Sequence, residues 1–294
     1  MTIIDGKQTA ADIREEIKNE VAELVQQGKR PPHLVAVLVG NDPASLAYVG
    51  SKERLSKKVG FNSTLLHFDD QITQAELLKT LDKLNRDKTV DGYIIQLPLP
   101  AHIDEQKIIM AIDPAKDVDG FHPLNLGKML AQLPGFLPAT PYGIMELIKR
   151  YNIKTEGKNV LIIGRSLIVG RPLSILMSQK RPGGNATVTL AHSRTKNIKQ
   201  LAQQADIIVT ALGKPHFLTA DMVKDGGVVI DAGINSVDAP NTKRGYKLVG
   251  DADFENISKK ASFMTPVPGG VGPMTIAMLL KNTLQAYKLA ESRK

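Results

Sequence analysis

Tyr48 and Lys52 stand four residues apart on a predicted helix, so their side chains share one face. A lysine there could serve as a general acid or base if burial or a nearby cation lowered its pKa. The Tyr-x-x-x-Lys spacing also occurs in short-chain dehydrogenases, but in those enzymes it follows the glycine turn that binds the cofactor. Here it precedes the candidate glycine turn, at Gly164, by 116 residues. Spacing alone favours an ordinary solvated lysine beside a packed tyrosine.

Asp119 precedes a glycine in the predicted loop Lys116-Asp117-Val118-Asp119-Gly120. A carboxylate in such a loop could accept paired hydrogen bonds from an amino-pyrimidinone edge, although a plain Asp-Gly turn has the same sequence. His122 lies between this loop and Pro123, and we expect it to be structural. No His, Asp and Glu spacing predicts a metal site. The chain has no cysteine, so a Cys nucleophile and thiolate ligands are excluded.

Gly164 ends the apolar run Val160-Leu161-Ile162-Ile163, and a helical pattern follows it directly. This arrangement is typical of a buried strand that presents a phosphate group to a helix N-terminus. Ser166 stands where the usual pattern has its second glycine, and Arg165 adds positive charge. The motif by itself fits a dinucleotide turn and an ordinary strand-to-helix turn equally well.

Ser193, Arg194 and Thr195 follow the next predicted strand, over residues 186–190. An NAD site would place an acidic residue there for the ribose 2′-hydroxyl. A cation with hydroxyls suits a 2′-phosphate instead, so the sequence favours NADP over NAD.

Strand and helix patterns alternate through both halves of the chain, which predicts parallel sheets. We expect an α/β protein with two doubly wound parallel-sheet domains, the second Rossmann-like, and a cleft between them. Residues 1–138 and 274–294 are predicted to form one domain and residues 139–273 the other. Residues 113–138 are predicted to be rich in loops. The predicted strands span 34–39, 63–68, 92–96, 159–163, 186–190, 206–210 and 227–231, and the predicted helices span 9–27, 44–59, 74–85, 142–151, 169–180, 197–204 and 274–289.

The amino-acid composition indicates which classes of ligand the protein can bind. The 294 residues carry a net charge of +8 but only 4% aromatic side chains, and the basic residues are scattered. A base-stacking nucleic-acid surface is therefore not expected, whereas a polyanionic small molecule fits. No signal-like start and no apolar run of membrane-spanning length is present, so we expect a cytoplasmic protein.

Six motifs in chain order resemble the bifunctional methylenetetrahydrofolate dehydrogenase/methenyltetrahydrofolate cyclohydrolase family. The resemblance covers nearly the whole chain. The motifs are Val39-Gly40-Asn41-Asp42-Pro43-Ala44-Ser45, Tyr48-Val49-Gly50-Ser51-Lys52, Gln96-Leu97-Pro98-Leu99-Pro100, Lys116-Asp117-Val118-Asp119-Gly120, Gly164-Arg165-Ser166 with Val169-Gly170-Arg171-Pro172, and Thr265 to Thr275 with Pro268-Gly269-Gly270-Val271-Gly272.

This resemblance implies NADP-dependent oxidation of 5,10-methylenetetrahydrofolate, then hydrolysis to 10-formyltetrahydrofolate, by a homodimer in one-carbon metabolism. Lys52 would handle the proton of the hydrolytic step, with Gln96 bonded to it. Tyr48 would pack on the folate, and Asp119 would anchor the pterin. Leu97, Pro268, Gly269 and Gly270 would also contact the substrate. Gly164, Arg165, Ser166 and Ile234 would line the cofactor, beside Ser193, Arg194 and Thr195.

Two other functions fit parts of the sequence. One is an NADP dehydrogenase of the shikimate-dehydrogenase type, acting on a small carboxylate with an oxidisable hydroxyl; it would not need Gln96 or the Pro-Leu-Pro loop. The other is a non-catalytic dinucleotide- or RNA-binding module, which the low aromatic content and the absence of a basic stripe disfavour.

Overall fold

The computed structural model describes residues 1–242 and 245–292, in two compact units. Unit 1 consists of residues 1–11 and 138–275, and unit 2 of residues 12–137 and the chain from residue 276 onward. Residues 243, 244, 293 and 294 of the predicted domains lie outside the described residues. Two long helices, α1 (Gly6–Gln26) and α10 (Val271–Glu291), contribute residues to both units.

Unit 2 is built on the parallel sheet β3-β2-β4. The apolar β2, HLVAVLV, lies at its centre and is almost wholly buried, as expected for a parallel strand covered on both faces. Val35, Val37, Leu77, Leu81 and Tyr93 join in its core. The elements are β2 (His33–Val39), α2 (Pro43–Lys58), β3 (Asn62–Phe68), α3 (Gln74–Arg86), β4 (Gly92–Ile95), α4 (Glu105–Met110) and α5 (Pro123–Leu130).

The helix α5 lies inside the segment that was predicted to be rich in loops. Pro123 occupies its first turn, and the His122 ring nitrogen Nδ1 accepts the backbone N–H of Leu124 at 3.0 Å. A histidine and a proline that suggest a loop in the sequence are here a helix cap and a helix start. His122 is structural, as expected.

Unit 1 is built on a parallel sheet with the strand order β1-β11-β8-β7-β5-β6. The order reverses beside β5, which is the switch point of a doubly wound sheet. Its strands are β1 (Thr2–Ile3), β5 (Asn159–Ile163), β6 (Thr187–Ala191), β7 (Ile207–Thr210), β8 (Val228–Asp231) and β11 (Phe263–Met264). Its helices are α6 (Ala139–Arg150), α7 (Gly170–Ser178), α8 (Ile198–Gln204) and α9 (Phe254–Ile257), with a 3-10 turn at Ala220–Met222 and the hairpin β9 (Asn235–Asp238) and β10 (Tyr246–Val249). The predicted α/β class with two parallel sheets is confirmed.

The first eleven residues differ from the predicted domain assignment. They were placed with the first half of the chain, but β1 pairs in parallel with β11, so they belong to unit 1. Lys7 also donates its backbone N–H to the carbonyl of Gly269 at 2.8 Å. A two-residue strand has no periodicity of its own, so the sequence pattern did not identify its partner.

No helix in the described part of the chain is both long and apolar enough to cross a membrane.

Candidate active site

Lys52 is positioned by a helix whose start is fixed by local chemistry. Asp42 caps α2 by accepting the backbone N–H of Ser45 at 2.8 Å, and Pro43 supplies the first turn. These hydrogen bonds from Ser45 lower the pKa of Asp42. Helix α2 therefore begins at the end of β2, where ligands bind in parallel sheets.

The Lys52 side chain is turned inward, although the sequence alone favoured a solvated lysine. The residue is 5% exposed. Its ammonium nitrogen lies 4.6 Å from the centroid of the Tyr48 ring and donates to the Gln96 side-chain oxygen at 3.3 Å. Tyr48, Lys52 and Gln96 thus form one cluster.

Gln96 is held so that its oxygen, and not its nitrogen, faces the lysine. It follows β4, and its backbone N–H donates to Val37 at 2.9 Å. The side-chain Nε2 donates to the carbonyl of Leu97 at 2.8 Å, which leaves Oε1 for Lys52. Leu97 is half-buried, packs on the core of unit 2 and precedes a cis proline.

The loop that carries Asp119 is held by the buried carboxylate of Asp117. That carboxylate accepts the backbone N–H of Phe121 at 3.2 Å, the N–H of His122 at 2.8 Å and the side-chain amide of Asn125 at 2.8 Å. Asn282 of α10 donates to the carbonyl of Val118 at 2.8 Å. The backbone of Val118, directly before Asp119, is therefore held by a side chain that lies far away in the sequence.

Gly92 lets this loop pack directly on β4. A Cβ atom at residue 92 would lie 2.2 Å from a methyl group of Val118, closer than any side chain permits. A small cavity lined by Ile95, Leu97, Asp119 and Phe121 adjoins the loop. Asp119 thereby lies in a mostly apolar cavity beside the end of β4, with Asp117 also in its lining.

Burial shifts Lys52 and Asp119 toward their neutral forms. Desolvation lowers the pKa of Lys52, and the nearby charge of Asp119 opposes that shift. Desolvation also raises the pKa of Asp119, while Lys52 opposes and Asp117 adds to that rise. The site therefore holds a lysine that can lose its proton more readily than a solvated one.

In unit 1 the turn that follows β5 has no room for a side chain at its two glycines, Gly164 and Gly170. Gly164 has φ +130°, and a Cβ there would lie 2.2 Å from the carbonyl oxygen of Ala211. A Cβ at Gly170 would lie 1.8 Å from the carbonyl oxygen of Gly164. This close approach between strand end and helix start is what a dinucleotide turn requires.

Ser166 shapes the same turn. Its hydroxyl oxygen accepts the backbone N–H of Val169 at 3.1 Å, and its carbonyl accepts the N–H of Arg171 at 3.1 Å. Arg165 and Ser166 are themselves exposed, as are Leu167 and Ile168. The serine in place of the usual glycine therefore stabilises the turn that precedes α7.

The turn after β6 is closed by Thr195. The Thr195 hydroxyl accepts the backbone N–H of His192 at 2.9 Å, and the Thr195 N–H donates to the carbonyl of His192 at 2.8 Å. Ser193 and Arg194 are left exposed at the tip. A guanidinium and a hydroxyl at this strand end form a donor set that fits a 2′-phosphate.

The remaining predicted residues also lie in unit 1. Ile234 follows β8 and is 58% exposed. Pro268, Gly269 and Gly270 follow β11; Gly269 has φ +107°, and a Cβ on Gly6 would lie 1.8 Å from the Gly270 oxygen. The structure thus groups Tyr48, Lys52, Gln96, Leu97 and Asp119 in unit 2, and the other predicted residues in unit 1.

Sequence reasoning missed the side chains that support these loops, namely Asp117, Asn282, Asp231 and Asp251. All four are buried polar residues. Asp117 and Asp251 each stand in an Asp-x-Asp triplet beside a glycine, a weak signal that these loops depend on carboxylates. No group of three metal-binding side chains occurs among the residues whose positions are described.

A doubly wound sheet with a glycine turn, joined in one chain to a unit with a buried lysine, defines an enzyme that binds a nicotinamide dinucleotide. Residues 138–291 match the NAD(P)-binding domain of tetrahydrofolate dehydrogenase/cyclohydrolase, and residues 4–119 match its catalytic domain. The chain belongs to the tetrahydrofolate dehydrogenase/cyclohydrolase family, which confirms the resemblance seen in its motifs.

Individual relatives agree with this membership. The bifunctional protein FolD of Flavobacterium johnsoniae is 58% identical over 100% of this chain and 99% of its own length. The crystal structure of the FolD enzyme from Campylobacter jejuni has 46% identity and a TM-score of 0.92, with full coverage of both chains. The Trypanosoma brucei enzyme, solved with NADP cofactor and an inhibitor, has 35% identity and a TM-score of 0.94 over 99% of this chain and 98% of its own.

Proposed function

We propose that this chain catalyses two consecutive reactions on a folate-bound carbon. The first is NADP-dependent oxidation of 5,10-methylenetetrahydrofolate to the 5,10-methenyl cation. The second is hydrolysis of that cation to 10-formyltetrahydrofolate. The observation that supports this best is the buried Lys52, which contacts Tyr48 and Gln96 and has a lowered pKa, in a chain that also carries a dinucleotide turn.

For the oxidation, the protein supplies binding and orientation. NADP, when bound, accepts the hydride from the methylene carbon. The Gly164 turn fits a pyrophosphate because its two glycines let the end of β5 and the start of α7 approach more closely than any residue with a Cβ atom would allow. Arg165 and Ser166 belong to that turn, and the exposed Ser193 and Arg194 after β6 would bind the 2′-phosphate.

For the hydrolysis, Lys52 acts as the base. The methenyl substrate is a cation, so a charged lysine beside it would repel it, whereas a neutral lysine would not. Gln96 accepts one N–H of Lys52, which orients the remaining lone pair. That nitrogen can then take a proton from the water that attacks the methenyl carbon, and a carbon–nitrogen bond of the folate ring opens.

Tyr48 and Asp119 bind the substrate in this proposal. The Tyr48 ring is half-buried and presents an apolar face beside Lys52, suited to stacking on the folate. Asp119 would accept a pair of hydrogen bonds from the pterin edge. Leu97, Pro268, Gly269 and Gly270 are proposed as further substrate contacts.

An assay with purified protein tests the function. We expect NADP-dependent oxidation of methylenetetrahydrofolate, followed by hydrolysis of added methenyltetrahydrofolate without NADP. Turnover of neither folate would refute the proposal. Turnover of a small hydroxycarboxylate instead would support the shikimate-dehydrogenase-type alternative.

We further propose a homodimer in the cytoplasm that does not bind nucleic acid. The dimer is supported by family membership. The proposal that it does not bind nucleic acid is supported by the aromatic content of 4% and the absence of tryptophan, because proteins that bind single strands stack the bases on aromatic side chains.

A further inference from the structure

Backbone amides of the loop after β7, residues 211–214, donate hydrogen bonds to a single carboxylate. Asp251, which is 0% exposed, accepts the backbone N–H of Leu212 at 2.6 Å, of Gly213 at 3.1 Å and of Lys214 at 2.8 Å. Three consecutive amides therefore point at one side chain. A carboxylate is suited to accept several N–H groups, since charge-assisted hydrogen bonds are stronger than neutral ones.

The same carboxylate also holds the turn after β8. Asn235 donates its side-chain amide to Asp251 at 2.9 Å, and Asn235 directly follows the exposed Ile234. Gly233 packs on the carboxylate so closely that a Cβ there would lie 2.2 Å from its carbon. Asp251 thus joins the turns that follow β7 and β8.

A second buried carboxylate fixes Asp251 itself. Asp231, at the end of β8, accepts the backbone N–H of Asp251 at 3.2 Å and of Ala252 at 2.8 Å. It also accepts the Thr210 hydroxyl at 2.9 Å, from the end of β7. Asp251 is therefore attached to the ends of β7 and β8 through Asp231.

The strand order identifies the part of the cofactor that these turns would meet. β6, with Ser193 and Arg194 at its end, lies on one side of β5, while β7 and β8 lie on the other. A dinucleotide with its pyrophosphate at the β5 turn and its 2′-phosphate at β6 must extend its other half over β7 and β8. That half carries the nicotinamide.

We propose that Asp251 is a positioning residue for the nicotinamide half of NADP, acting through the backbone of residues 212–214 and through Asn235. This inference rests on the proposed NADP function. The role of Asp251 is to hold the two turns in the shape that receives the nicotinamide and its ribose.

The test compares two ligands on the variant Asp251→Asn. The asparagine has the same size, but its NH2 group would face backbone N–H donors. Titration calorimetry should show NADP+ binding weakened about tenfold, equivalent to about 1.4 kcal/mol. Binding of adenosine 2′,5′-bisphosphate, which contains the adenine half alone, should stay within about twofold, whereas general loosening of unit 1 would weaken both ligands.

Asp253→Asn is the matched control. Asp253 lies two residues further on, where its carboxylate caps α9 and accepts hydrogen bonds from the backbone and the side chain of Asn256. Its substitution should leave the affinity of both ligands unchanged. If Asp251→Asn does not fold, Asn235→Ala replaces it as the test. That variant removes one donor and should weaken NADP+ about threefold without affecting the bisphosphate.

Equal affinities of the Asp251→Asn chain and the unaltered chain for NADP+, or equal losses for both ligands, would overturn the inference. If Asn235→Ala is the test, unchanged NADP+ affinity would do the same. A chain that binds no NADP+ before any substitution would instead refute the proposed function, so the two failures are distinguishable.

Discussion

Substitution of Gln96 by glutamate would test the proposed state of Lys52 directly. The change replaces a neutral oxygen acceptor, 3.3 Å from the lysine nitrogen, by a carboxylate of nearly the same shape. A negative charge at that position favours the protonated lysine and so raises its pKa. Since the proposed base must be neutral, hydrolysis should then require a higher pH.

The size of the effect follows from this distance. Two unit charges 3.3 Å apart attract by about 5 kcal/mol at an effective dielectric constant of about 20. The cost of burying the new carboxylate offsets part of that attraction, so we expect the pKa of Lys52 to rise by about 1–3 units. Well below this pKa, the neutral fraction and the hydrolysis rate should fall by about 10- to 1000-fold.

The assay is the pH dependence of kcat for hydrolysis of methenyltetrahydrofolate without NADP. In the unaltered chain, the rate should rise with pH to a midpoint below the ordinary lysine value of 10.5, because burial lowers the pKa of Lys52. In Gln96→Glu the midpoint should move upward. Gln96→Met, which removes the acceptor without adding charge, should not move it upward.

Gln106→Glu provides the matched surface control. Gln106 is exposed on α4, so the same added charge is screened by solvent and should leave the profile unchanged. An unaltered midpoint in Gln96→Glu, with the protein folded and NADP+ binding intact, would refute the proposed base and the reasoning from its burial.

Three further substitutions separate the proposed roles. Lys52→Met should lower the hydrolysis rate by at least about 100-fold, because a positioned base contributes this much or more. The affinity for NADP+ should stay intact. Retained hydrolysis in steady-state assays would remove Lys52 from the mechanism. Asp119→Ala should raise the KM for the folate about tenfold or more, because it removes a pair of hydrogen bonds to the pterin. Equal folate affinity in this variant and in the unaltered chain would contradict the anchor role. Arg194→Glu should weaken NADP+ far more than NAD+ in binding titrations, because only NADP+ carries the 2′-phosphate; equal losses would refute the predicted specificity.

Much of the fold could be predicted because its strands are short apolar runs. β5 was predicted with the bounds that the structure has, and β2 within one residue. The pairing of β1 with β11 was not predicted, because each strand has two residues and no pattern of its own. The helix α5 was missed because His122 and Pro123 suggest a loop when their hydrogen bonds are unknown.

The candidate site was predicted unevenly for a related reason. Lys52, Gln96 and Gly164 could be named because their types and spacing carry chemical meaning in the chain itself. The inward orientation of the Lys52 side chain could not be predicted, because helical spacing assigns a residue to a face of the helix without identifying what packs against that face. Asp251 was not identified from the sequence because its partners are backbone amides of a loop nearly forty residues earlier. Almost every residue type has a backbone amide, so the sequence carries no pattern that marks these partners.

The last helix has a consequence for the order in which the protein is made. Residues 276 onward complete unit 2: Leu279, Leu280 and Leu284 are buried, the Arg30 guanidinium lies 5.0 Å from the centroid of the Tyr287 ring, and Asn282 holds the carbonyl beside Asp119. A ribosome synthesises residues 12–137 before this helix, with residues 138–275 of unit 1 between them. The proposed folate unit can therefore reach its native form only after those residues of unit 1 have been translated, and termination before residue 282 would remove the side chain that holds the Asp119 loop.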